Sequence, residues 1–116
     1  MITFLSIFFL LLIGHAIADF PLQTDSISKG KNRHRKVDPS SIPPGQKAAI
    51  VWPYFMSAHA LIHAGAVALV TGSLWLALAE FIVHWIVDYA KCENWTTVHQ
   101  DQMFHVLTKA VWAFLA

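Results

Sequence analysis

The sequence predicts an all-α protein, a four-helix transmembrane bundle that occupies residues 1–116 as a single membrane domain. Three observations predict it. Of the 116 residues, 56% are apolar and only 13% charged, too few charges to wet the surface of so short a chain. Apolar runs near membrane length recur along the chain. The charges are also segregated: residues 1–14 and 48–79 carry none apart from His59 and His63, whereas Lys29, Lys31, Arg33, Arg35 and Lys36 fall together.

The first apolar run spans about 2–20 and the second about 53–70. The third, about 74–89, follows through a tight turn at Thr71, Gly72 and Ser73, so the second and third form an antiparallel hairpin. The fourth, about 98–116, opens on Thr97 with Gln100 three residues later, the spacing of a capping box. At 1.5 Å per residue it would be about 28 Å long, just enough to cross. Between the first two runs lies a polar loop, about 24–47, broken by Gly30, Pro39, Pro43, Pro44 and Gly45. Its six Lys and Arg residues place it in the cytoplasm by the positive-inside rule, with both termini outside. The expected location is a bacterial inner membrane or a host cell membrane. Trp52, Tyr54, Tyr89 and Trp95 then fall near the cytoplasmic interface.

The basic loop also suits anionic lipid heads, although topology is the commoner reason for such a loop. The net charge of +1 says nothing about a partner, because the basic residues sit in one loop, and no nucleic-acid partner is expected. Cys92 is alone, which excludes an intrachain disulfide and leaves it a packing residue. Ala16-Ile17-Ala18 resembles a signal cleavage site, but the basic n-region is missing, so the first helix is expected to be retained.

Each run carries ionisable residues four apart, and such residues share one helix face. The first has His15 and Asp19, with Gln23 a turn further. The second has His59 and His63; the third Glu80, His84 and Asp88; the fourth Asp101 and His105, with Lys109 a turn later. With alternating helix direction, all four pairs fall near the cytoplasmic side. Any single pair reads as a helix-to-helix hydrogen bond. Four pairs at one depth read as a metal or proton-handling site, because ionisable groups in a bilayer cost roughly 2.5–3.5 kcal/mol each and act together.

Imidazole and carboxylate without thiolate suit zinc, iron or manganese. The candidate ligands are His15, Asp19, His59, His63, His84, Asp88, Asp101 and His105, enough for two ions. His59, His63, His84, Asp88, Asp19 and His105 are expected in one cavity near the cytoplasmic face, with His15 and Asp101 at its edge or just behind the ligands. Glu80 and Asp101 are the candidate catalytic groups, and Lys109 is expected to pair with Glu80 or meet an anionic substrate. His34 and His99 are expected to be solvated, and the sequon Asn94-Trp95-Thr96 is irrelevant in a cytoplasmic loop.

Gly14-His15, Asp19-Phe20 and Leu22-Gln23-Thr24-Asp25 resemble the opening signature of a membrane family of bacteria and phages, domain of unknown function 3307. His59-Ala60-Leu61-Ile62-His63, His84 with Asp88-Tyr89, and Asp101-Gln102 with His105 resemble its later blocks. The resemblance covers nearly the whole chain and implies a small multi-pass membrane protein, without supplying a reaction.

From the residues themselves, the favoured function is a membrane-embedded metal-dependent hydrolase acting on a lipid-like or phosphoester substrate. No G-x-S-x-G motif is present, which argues against serine chemistry. A di-iron oxidation is weakened by there being one H-x-x-x-H pair. A proton or divalent-metal transporter is the first alternative; the outer helix halves offer it little polar surface, which a homo-oligomer would have to supply. A structural protein whose polar pairs only lock the helices is the second.

Overall fold

The computed structural model describes residues 3–116, so the expected helix start at Ile2 lies outside the described residues. Five α-helices and no strand occur among the described residues: α1 (Phe4–Asp19), α2 (Asp25–Gly30), α3 (Trp52–Thr71), α4 (Leu74–Cys92) and α5 (Val98–Leu115). α2 is an addition to the sequence reading, which placed a loop there. A 3-10 turn at Pro39–Ser41 is the remaining helical element of that stretch.

The helix starts follow capping chemistry. Thr3, Thr24, Ser73 and Thr97 each accept a backbone N–H of the first turn of α1, α2, α4 and α5. The reciprocal bonds of the capping box are both formed, with Gln100 Oε1 accepting from Thr97 N at 2.9 Å. α3 opens with Pro53 in its first turn, where a missing N–H is tolerated. It ends at Gly72, whose φ of 69° lets its N–H turn back to the Ala68 carbonyl at 2.8 Å.

α1 packs against α3 and α5, and α4 packs against the same two, so these four helices form a ring. Gly14 on α1 faces α3 so closely that a Cβ there would lie 3.1 Å from Ala66 Cβ. α2 lies on α3 at the loop end. A Cβ on Gly30 would come within 2.6 Å of the Phe55 ring, so glycine is what permits that approach.

Polarity inside the ring is inverted. Among the described residues ten apolar and ten polar or charged ones are buried, while large apolar side chains such as Phe9, Ile17, Leu61, Leu78, Ile86 and Leu107 stand exposed on all four helices. The buried apolar cluster of Leu11, Val67, Trp112 and Ala113, with Phe8, Leu76 and Val83 against it, fills the end near the α3–α4 turn. The polar layer occupies the end near α2 and the loop.

By length and composition, α3 is the one helix among the described residues that qualifies to cross a membrane; α1 is apolar but 16 residues long. The expectation of four spans is thus met individually by α3 alone. The inward stripes of α4 and α5 explain part of the difference: Glu80, Asp88 and Lys91, and Asp101 and Lys109, depress the apolar character of helices whose outer faces are apolar.

Candidate metal centre

All the histidines and carboxylates read from the sequence as ligands point into the ring. His59, His63, His84, Asp88, Asp101 and His105 are at most 2% exposed, His15 is 6% exposed, and the Asp19 side chain is 9% exposed. The i, i+4 spacing on each helix is what stacks them into one layer.

The imidazoles form a continuous group. The His63 and His84 rings stack at 3.7 Å between centroids, and His84 and His105 at 4.2 Å. His59 meets His63 edge-on at 4.7 Å, and His15 lies 5.1 Å from His63 and 5.3 Å from His105. His15 lies beside these rings because α1 packs directly against α5 as well as α3.

Three of the four carboxylates are matched by lysines. Lys31 Nζ donates to Asp88 at 2.5 Å, Lys109 Nζ to Glu80 at 2.5 Å, and Lys91 Nζ to Asp101 at 3.4 Å. Asp19 has no lysine or arginine partner among the described residues. It is surrounded by His63 Nε2 at 2.8 Å, His59 Nε2 and His15 Nε2 at 3.3 Å each, and Gln102 Nε2 at 3.1 Å. A buried carboxylate ordinarily needs a cation or several hydrogen bonds.

Two groups among the described residues bring ligand atoms close enough to be candidates for an ion. Asp19, His59, His63 and His84 each offer an atom within 4.8 Å of the others, and His84, Asp88 and His105 form a second group sharing His84. In a tetrahedral zinc site with bonds of about 2.1 Å the ligand atoms stand about 3.4 Å apart, so the first group must contract modestly. His59 Nε2 and His84 Nε2 are buried without a hydrogen-bond partner, as are the Nδ1 atoms of His15, His59 and His63. Unpaired buried nitrogens are costly, and an ion would take up those facing the centre.

Glu80 fits an orienting role better than that of a free base. Its carboxylate accepts from Lys109, from Trp112 Nε1 at 2.6 Å and, with the tautomer assigned from that partner, from His84 Nδ1 at 3.2 Å. That bond turns His84 Nε2 toward the centre, the carboxylate–histidine arrangement common around metals. Asp101 belongs to neither ion group; it lies 3.4 Å from His105 Nε2, which also approaches Asp88 at 3.2 Å.

The sequence reading missed three polar members. Lys31, read as a topology charge, is 3% exposed and reaches both Asp88 and, at 2.6 Å, Gln23 Oε1. No periodicity marked it. Lys91 was detectable as i+3 from Asp88, and Gln102 lay inside a quoted motif; it bridges His15 and Asp19.

Outside the layer, Arg33 and His34 both bind Glu93 at the end of α4, His34 at 3.0 Å, so His34 is half-exposed yet paired rather than freely solvated. Those hydrogen bonds hold the Glu93 carboxyl down at about 2, and Glu93 in turn pushes Arg33 up. Arg33 also sits 6.0 Å from the Tyr89 ring centroid. His99 is exposed.

Comparison with curated proteins and with solved structures gives no match. A family profile does match, over residues 7–113, and that span includes every residue of the polar layer. The chain belongs to the family described as protein of unknown function (DUF3307).

Proposed function

We propose that this chain is a multi-pass membrane protein whose ring of α1, α3, α4 and α5 holds a divalent metal ion at Asp19, His59, His63 and His84, and that it hydrolyses a lipid-like or phosphoester substrate at the loop end. The observation that carries the reading is the environment of Asp19: a buried carboxylate with imidazoles on three sides and no lysine or arginine partner among the described residues, in a layer where every other carboxylate has a lysine. A divalent cation held by those imidazoles would stand where the lysines stand for the other three.

The inverted polarity supports the membrane. Apolar side chains face outward on all four long helices, the arrangement a bilayer favours and water does not. Under the positive-inside rule the loop end, and with it the polar layer, lies on the cytoplasmic side.

A divalent ion in this donor set would act as a Lewis acid toward a phosphoryl or carbonyl oxygen. The residues around it have separable tasks. Glu80 orients His84. His105, held between Asp88 and Asp101, is placed to take and return a proton. Zinc, iron and manganese all suit imidazole with carboxylate. Transport is disfavoured by the apolar plug of Leu11, Val67 and Trp112, which fills the far end of the ring.

The test is metal analysis of purified wild type beside His63→Ala, followed by assay of phosphoester release from lipid and soluble substrates. Bound zinc, iron or manganese in the wild type, its loss in the variant, and metal-dependent release are expected. Wild type that takes up none of the three would overturn the metal reading. Metal binding with ion flux into liposomes and no release would replace the hydrolase with the transporter.

A further inference from the structure

We infer that the basic cup beside α2 is a receptor for the phosphate group of an anionic lipid, and that it presents such lipids to the metal centre. The inference rests on the membrane-hydrolase reading and names its substrate class.

The cup has a volume of about 440 Å³, within the range of small-molecule sites. Lys29, Arg33, Arg35 and Lys36 line it, and no carboxylate does. Arg33 is committed to Glu93 and Lys29 to Asp25 at 2.7 Å, whereas Arg35 and Lys36 make no ion pair among the described residues. Val51 and Trp52 supply an apolar wall. A cationic rim over an apolar wall matches a phosphate with hydrocarbon attached better than it matches a free ion.

The position agrees with a lipid. Trp52 lies 6.0 Å from Trp85 and 5.7 Å from Tyr89, and Tyr89 lies 5.8 Å from Trp95. These rings form one band at the loop end, where amphipathic aromatics mark the head-group level. The cup also adjoins the polar layer through the backbone. Gly30 and Asn32 line the cup, while Lys31 between them reaches inward to Asp88. A head group in the cup is thus one residue along the chain from a side chain that touches the candidate centre.

The experiment uses the full chain in neutral detergent. Dihexanoyl phosphatidylglycerol, dihexanoyl phosphatidylcholine and inorganic phosphate are titrated in, and bound lipid is counted by native mass spectrometry. Phosphatidylglycerol is expected to bind, phosphatidylcholine not, and Arg35→Gln/Lys36→Gln to weaken the former about tenfold or more. Competition by inorganic phosphate would assign recognition to the phosphate alone; its absence would assign it to the phosphate within the lipid. Equal binding of the two lipids, or phosphatidylglycerol binding unchanged in the double variant, would overturn the inference. Metal content of the same samples is read separately, so loss of the ion with lipid binding intact would count against the hydrolase reading alone.

Discussion

Asp19→Asn separates a metal ligand from a packing residue, because only a ligand makes the variant's loss of stability depend on metal. Four carboxylates of the layer face three lysines, and Asp19 is the one without a lysine. Without metal, the variant keeps an amide oxygen for His63 or Gln102 and weakens only the charge-assisted part of those hydrogen bonds. The metal-free variant should therefore fall modestly below metal-free wild type. With metal the gap widens. Losing an outer hydrogen-bond partner of a metal ligand typically costs 10–100-fold in affinity, so losing a ligand should cost about 100-fold or more. At an ion concentration 100 times the wild-type Kd, binding adds about 2.7 kcal/mol of stability. A 100-fold weaker site at that concentration gains only about 0.4 kcal/mol. Denaturation in detergent, with chelator and with added zinc, should show metal stabilising wild type by roughly 2 kcal/mol more than the variant. Equal metal response in both proteins would refute the argument.

Three further outcomes follow from the same geometry. Lys109→Met should cost about 3–5 kcal/mol by leaving Glu80 buried without its cation, and Glu80→Gln added to it should recover part of that; strict additivity in a double-mutant cycle would show the two uncoupled. Glu93, whose carboxyl is held at about 2 against an ordinary 4.5 by Arg33 and His34, contributes stability fully present above about 4.5 and lost as pH falls toward 2. Hydrogen exchange over residues 29–36 should therefore accelerate in that window and lose this dependence in Glu93→Gln. A reporter inserted in residues 29–36 should read cytoplasmic, and an external signal would reverse the orientation proposed for the whole ring.

Local rules carried much of the sequence reading. Thr97 with Gln100, the Gly72 turn and the four-residue spacings are signals within one helix, and each has its counterpart in the structure. Lys109 meeting Glu80 was also legible, since both lie one turn deeper than the histidines on antiparallel neighbours. What stayed hidden depends on contacts between distant segments. α2 is six residues long, too short for periodicity to mark it. Lys31 is buried because Gly30 lets α2 close on Phe55, a fact no pattern within residues 24–47 contains. Which rings lie beside His15 was hidden too, because spacing fixes height on a helix but not which neighbours surround it.

The ion pairs inside the ring also constrain how a ribosome-bound chain could be delivered to a bilayer. By length and composition α3 qualifies to cross a membrane, and the loop carrying Lys31 is made before α4, so Asp88 would find its partner waiting. Glu80 would not: Lys109 lies on α5, which is made after α4. In a bilayer, α4 would have to linger beside the insertion machinery with a bare carboxylate until α5 arrived. The hairpin of α4 and α5 would then leave the translocon as a neutralised pair, so α4 would be integrated only once α5 had been made.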